Sequence, residues 1–171
     1  MLKKDVKQYD KNIFKELEES WAICTAGDRN TGFNCLTVSW GGIGMLWGKP
    51  VGFVFVRNSR YTHSFLEKSE GVTLSFLSNA YQEAKQYLGQ VSGRNEDKLA
   101  KSGLSYTYDP DMDVCYIRQA SYVFKMKKLL SVDLDSDLLK EDLKEKFYSV
   151  KDDHTLYICE IKQYLTKEKE A

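Results

Sequence analysis

The chain has 171 residues, with 25 Lys and Arg against 25 Asp and Glu, so no global basic field draws it to nucleic acid or to an acidic membrane, and any polyanion site has to be local. That length suits a single domain, residues 1–171, able to bury roughly two thirds of its unfolded surface around one core. Four scattered cysteines, Cys24, Cys35, Cys115 and Cys159, a polar start and the lack of a membrane-length apolar run point to a reduced, cytoplasmic protein without a disulfide framework.

Residues 1–20 read as a helical lead-in, because Ile13, Phe14 and Leu17 recur at helical spacing among the charges of 10–20. A strand follows at 21–26, closed by the turn residues Gly27, Asp28, Arg29 and Asn30. The next strand, 33–40, alternates: Phe33, Cys35, Thr37 and Ser39 point one way, and Asn34, Leu36, Val38 and Trp40 the other. Gly41, Gly42 and Gly44 read as a bend into Met45, Leu46 and Trp47. Gly48, Lys49 and Pro50 then turn into the apolar run 51–56, the strongest central-strand candidate.

Residues 62–68 read as a brief helix capped by the Thr62 hydroxyl, and 71–77 as a strand. Helices are expected at 80–88 and 95–101, with Ser92, Gly93 and Arg94 turning between them. The remaining strands fall at 115–119, 122–132 and 154–165, and 136–148 reads as a helix with Leu138, Leu139, Leu143 and Phe147 on one face. Residues 166–171 read as a frayed tail. Short strands with inserted helices favour a mainly β fold, an antiparallel barrel with peripheral helices, over a doubly wound parallel sheet.

A phosphate monoester needs positive charge and convergent N–H donors, which arginines and the start of a helix supply. Arg57, Ser59, Arg60, Tyr61 and Thr62 gather these groups at the end of a buried strand, although an ordinary capped strand end would carry them too. Ser92, Gly93, Arg94 and Lys98 form a second cationic group, in which the glycine lets backbone approach a ligand and the two cations meet one turn apart. A charged surface helix would look the same. Thr37 and Ser39 share a strand face whose hydroxyls and neighbouring N–H groups could donate to a flat ring, and a solvent-facing stripe is the alternative. Trp40, Trp47 and Tyr61 serve equally as packing aromatics. A flat ring with a phosphate tail, such as flavin mononucleotide (FMN), matches the sum.

Other chemistries lack their signatures. Gly42-Ile43-Gly44 has neither the spacing nor the helix of a dinucleotide fingerprint, and no Walker lysine loop occurs. His63 and His154, the only histidines, have no companion at metal-ligand spacing, so no metal site is expected. No Gly-x-Ser-x-Gly nucleophile motif occurs.

Residues 34–40, Trp47-Gly48-Lys49-Pro50, 57–62, Ser92-Gly93-Arg94 with Asp97-Lys98, and His154 with 157–161 together resemble the flavin reductase-like family, particularly its flavoredoxin-type branch, in the right order over most of the chain. The resemblance implies an FMN-binding split barrel, a Greek-key antiparallel β-barrel that forms a homodimer with flavin sites near the subunit interface. It places Asn34, Thr37, Ser39 and Trp40 along the ring and ribityl chain, and Arg60, Tyr61, Thr62, Arg94 and Lys98 around the phosphate. His154 matches a histidine of the wider family beside the flavin or a docked nicotinamide; a structural role suits a lone histidine as well. Cys35 and Leu36 depart from the methionine or threonine often found there.

The function so implied is an oxidoreductase that moves hydride from NADH or NADPH to flavin and on to an acceptor, with no obligatory acid or base. A flavoredoxin-like carrier, holding FMN tightly and fed by a redox protein instead of nicotinamide, is the alternative. A third reading, a scaffold that has lost flavin, sits poorly with two retained cationic groups.

Overall fold

The computed structural model describes residues 1–167, so most of the expected tail, 168–171, lies outside the described residues. Ten strands follow one another along the chain: β1 (Leu2–Lys4), β2 (Ala22–Asp28), β3 (Gly32–Val38), β4 (Gly41–Leu46), β5 (Lys49–Arg57), β6 (Gly71–Phe76), β7 (Tyr106–Asp109), β8 (Val114–Ile117), β9 (Tyr122–Asp133) and β10 (His154–Thr166). β7 and β8 make a separate hairpin, and the others form one antiparallel sheet in the order β3-β2-β6-β9-β10-β5-β4, with β1 also on β10.

This order forces a barrel. β3 and β4 end the path on opposite sides, yet only Ser39 and Trp40 separate them in the chain. A link that short reaches about 11 Å at full extension, so the sheet curls until its two edges face each other. β10 helps by bending: its first half pairs with β5 and its last residues with β1, with register shifts at Ile158/Cys159 and Ile161/Gln163 against β9. Thr166, expected in the frayed tail, is paired with both Leu2 and Tyr122.

The glycine run at 41–46 is a strand and not the expected bend. It pairs with β5 from Gly41↔Val54 to Leu46↔Lys49, and Trp47 (φ 52) with Gly48 (φ 71) closes a two-residue turn of the left-handed kind that hairpins favour. Gly41 is required there, since a Cβ would fall 2.3 Å from the Phe53 carbonyl oxygen. The turn therefore sits one residue earlier than Gly48-Lys49-Pro50 suggests.

Apolar side chains fill two spaces. Leu36, Val54, Phe76, Phe124, Met126 and Tyr157 pack inside the barrel. Ile23, Cys35, Leu88, Ile117 and Val123 pack outside it, beneath the helices, so the alternation of β3 serves both cores. All four cysteines are free and buried.

The helices depart from expectation at their ends. α1 (Ile13–Lys15) runs into a π-helical turn at Glu16–Ser20, and β1 precedes it where only helix was expected. α2 (Tyr61–Lys68) and α3 (Gln82–Gln90) match the reading closely, whereas α4 (Lys98–Lys101) is a single turn capped by Asp97. The region 136–148 is broken into a 3-10 turn, Ser136–Leu138, and α5 (Glu141–Tyr148), because Asp135 caps the first turn and Leu139 and Lys140 are extended. The expected apolar face is not buried: Leu138 is 85% exposed and Leu143 42%. Among the described residues no helix is long and apolar enough to cross a membrane.

Candidate functional site

β3 and β5 meet at the split. β4 covers β5 only as far as Val54, so Phe55, Val56 and Arg57 present an edge towards the end of β3. A hollow of about 230 Å³ lies between them, lined by Thr37, Ser39, Trp40, Phe55, Arg57, Arg60 and His154 among others. Backbone at such edges has N–H and C=O groups left over for a ligand.

A second hollow of about 240 Å³ adjoins it, sharing Leu36, Arg57 and Arg60. Its other lining residues include Ser59, Tyr61, Thr62, Ser92, Arg94, Lys98 and Asp152. Thus eight of the expected phosphate-side residues come together although they derive from β5, α2, α4 and the turn before α4. Asn34 and Gly93 stand behind them. Asn34 donates through Nδ2 to Thr62 Oγ1 at 2.9 Å, and a Cβ on Gly93 would fall 2.5 Å from Asn34 Oδ1. Glycine is what lets this turn close against the wall.

Thr62 does not cap α2. Arg60 occupies the cap position without a side-chain cap bond, and the buried Thr62 accepts from Asn34. The main-chain N–H groups of Tyr61 and Thr62 consequently have no partner among the described residues. An uncapped helix start of this kind attracts anions.

Two of the cations also have a structural task at the end of α3. Lys98 Nζ donates to Leu88 O and Val91 O, both at 3.0 Å, and Arg60 donates to Gly89 O at 2.6 Å. Positive charge complements a helix C-terminus. Lys98 keeps one of its three N–H donors and Arg60 four of its five. Arg94 lies over the Tyr61 ring, 5.0 Å from its centroid, and donates to Ser59 O at 3.1 Å. None of Arg57, Arg60, Arg94 and Lys98 forms an ion pair among the described residues. Burial first, with the Arg60 charge adding to it, lowers the pKa of Lys98, as expected of a cation set where its charge is uncompensated.

The ring-side residues are held differently. Thr37 donates its hydroxyl to Lys85 O, so only its lone pairs remain for a ligand. Ser39 and Trp40 lie beyond the end of β3 and are exposed. Trp40 packs edge-on to Phe147 at 5.3 Å and tilted on His154 at 5.0 Å. His154 is buried and 2.8 Å from Tyr148 Oη through Nδ1. Burial, then the Arg57 charge, lower its pKa from 6.5 to about 4, which keeps the imidazole neutral.

Arg57 lines both hollows and is tied to the excursion between β9 and β10. It donates to Asp152 O at 2.7 Å and Phe147 O at 3.0 Å and stacks on Tyr148. Phe147, Tyr148 and Asp152 were not expected at the site. They come from the excursion between β9 and β10, and the pairing of β10 on β5, which begins at His154↔Arg57, carries them there. No motif marks them, although the register extended by two residues sets Asp152 opposite Ser59.

A wider cleft of about 800 Å³ lies beyond Gly93 and shares Tyr61, Arg94 and Lys98 with the second hollow. Glu96 and Asp97 on its rim suit an anion poorly.

The model of the family described as flavin reductase like domain matches residues 15–171. Among solved structures, the fold is similar to the flavoredoxin of Desulfovibrio vulgaris (Miyazaki F), with 23% identity, TM-score 0.69, and 98% of this chain against 78% of that one. It is similar to an FMN-binding protein from Thermus thermophilus with bound p-hydroxybenzaldehyde, with 17% identity, TM-score 0.68, and coverage of 87% and 72%. It is also similar to nitrilotriacetate monooxygenase component B from Bacillus cereus, with 14% identity, TM-score 0.69, and coverage of 98% and 82%. No curated protein sequence matches the chain.

Proposed function

The chain belongs to the flavin reductase-like family, and we propose that it is an FMN-dependent oxidoreductase that draws reducing equivalents from NADH or NADPH and delivers them to an acceptor. The observation that carries this reading is the continuity of two hollows through Leu36, Arg57 and Arg60, one ringed by unpaired cations and the other narrow, lying between two strand edges. A dianionic tail suits the first and a planar ring the second. The donor chemistry fits: free α2 amides, spare guanidinium and ammonium protons, and a glycine where a side chain would intrude.

Bound there, FMN would supply electron-carrying chemistry that no side chain here offers. The protein's part is to hold and shelter. Arg60, Arg94 and Lys98 fix the tail, the edges of β3 and β5 offer hydrogen bonds to the ring, and Trp40 with the neutral His154 shields one side from water. His154 is uncharged at neutral pH and so is no cationic acid; its part in this reading is positional.

The test is a visible spectrum of FMN-loaded protein, freed of unbound flavin, before and after anaerobic addition of NADH or NADPH. Bleaching of the oxidised band, near about 450 nm, supports the proposal. Bleaching only by a reduced iron–sulfur protein favours a second reading, an electron carrier without direct nicotinamide use, which the likeness to a flavoredoxin motivates. A colourless protein that takes up no FMN removes both.

A homodimer belongs to the same proposal. Strand alternation and register turn Phe53, Phe55, Leu130, Val132, Leu156 and Ile158 to the outside of β5, β9 and β10. Leu130 is 42% and Val132 40% exposed, and Phe55 also lines the ring-side hollow. A second copy of the chain covering this apolar face would shelter that hollow as well. Four reduced buried cysteines accord with a cytoplasmic setting.

A further inference from the structure

Asp152 is the one carboxylate among the residues lining the cationic hollow. Its Oδ1 accepts from the Ser59 main-chain N–H at 3.1 Å and its Oδ2 from the Ser59 hydroxyl at 2.6 Å. Two oxygens of one anion on an adjacent amide and hydroxyl is the arrangement a phosphate would adopt at the same strand end. Asp152 forms no ion pair with Arg57, Arg60, Arg94 or Lys98 among the described residues. It therefore adds negative charge to the rim and takes up the Ser59 donors without neutralising any one cation. The backbone holds it there, since Arg57 donates to Asp152 O at 2.7 Å and the Asn58 N–H to Asp153 O at 2.9 Å.

We infer that Asp152 is a specificity-determining residue of this hollow: it competes with the incoming anion for Ser59 and reduces the advantage of a phosphate-tailed ligand over the same ring without phosphate. The ligand class rests on the FMN reading above, whereas competition for Ser59 does not. The chain would then bind FMN less tightly than its four cations allow, and removing the carboxylate charge would restore the difference. Neither the fold nor the ring-side hollow depends on that charge, because an asparagine at 152 still offers an oxygen to the Ser59 N–H.

The experiment compares the unaltered protein with Asp152→Asn and Asp152→Ala. Each is titrated with inorganic phosphate, with FMN, and with riboflavin, which has the ring but no phosphate; calorimetry follows phosphate, and quenching of flavin fluorescence follows the others. Both variants are expected to tighten phosphate and FMN by about three- to thirtyfold and to leave riboflavin within about twofold. Thermal unfolding confirms that both are folded, and Asp152→Asn alone decides the matter if the alanine variant is not. Unchanged or weaker phosphate and FMN binding in the variants overturns the inference, as does equal tightening of riboflavin, and FMN binding to all three proteins would still uphold the FMN reading. Tighter phosphate with no uptake of either flavin upholds the inference and sinks the FMN reading instead. Absence of phosphate binding in every protein overturns the inference.

Discussion

Tyr148 Oη stands 2.8 Å from His154 Nδ1. Burial holds the tyrosine pKa above its ordinary value and, together with the Arg57 charge, lowers that of the histidine to about 4, so at neutral pH two uncharged groups share this bond. A residue of the β9–β10 excursion thus fixes the orientation of the ring-side histidine through Nδ1.

The depressed pKa makes stability depend on pH with a definite sign. The unfolded chain binds a proton at His154 near pH 6.5 and the folded one only near about 4, so the contribution is complete above pH 6.5 and fades as pH falls through that window. The bare shift sets a ceiling of about 3 kcal/mol, which solvent screening reduces to about 1–2 kcal/mol. Urea unfolding at pH 7.5 and 4.5 should show a smaller pH-dependent loss in His154→Gln than in the unaltered protein. An equal loss in both would remove His154 as the cause.

Arg94 and Lys98 should part company on mutation. Arg94 is exposed, so Arg94→Ala should weaken FMN about tenfold while changing stability by less than about 0.5 kcal/mol. Lys98 is buried and bonded to two carbonyls of the α3 terminus. Lys98→Met should lose both FMN affinity and about 1–3 kcal/mol of stability. Fluorescence titration and chemical denaturation of the two variants make the comparison.

Gly93→Ala tests the wall of the tail-side hollow. The added methyl would lie 2.5 Å from Asn34 Oδ1 and 3.2 Å from Tyr61 Cδ1, both held in place by the Asn34–Thr62 bond and the Arg94 stack. A cost of about 1–3 kcal/mol is expected, with weaker FMN binding. A variant with unchanged melting temperature and affinity would show that the turn can retreat.

The apolar outer face predicts a response to charge. Val132→Glu, at a 40% exposed position outside the barrel, should shift a dimer to monomer in analytical ultracentrifugation while leaving the folded state intact. A dimer that persists would place the contact elsewhere.

How far the sequence could lead depends on whether a feature is local. The strand candidates at 33–40 and 51–56 survive because alternation and apolar runs are set by nearest neighbours. The site clusters also hold together, since Arg60, Thr62, Arg94 and Lys98 reach one hollow from separate elements. Thr62 was expected as a cap because the residue type and position are right for one. Its hydroxyl went to Asn34 instead, a partner 28 residues away that periodicity cannot reveal. β4 was missed because three glycines weaken a strand signal, and pairing with β5 supplied what local preference lacked. Tyr148 and Asp152 were invisible for the same reason: the register of β10 on β5, a long-range fact, brings them to the site.

The two-residue bridge from β3 to β4 has an optical consequence. Ser39 and Trp40 alone tie the facing edges of the split, and Trp40 rests on Phe147 and His154. Trp40 also lines the ring-side hollow, so a ligand seated between those edges would lie beside the indole, and the chain carries its own intrinsic emitter at the mouth of the split.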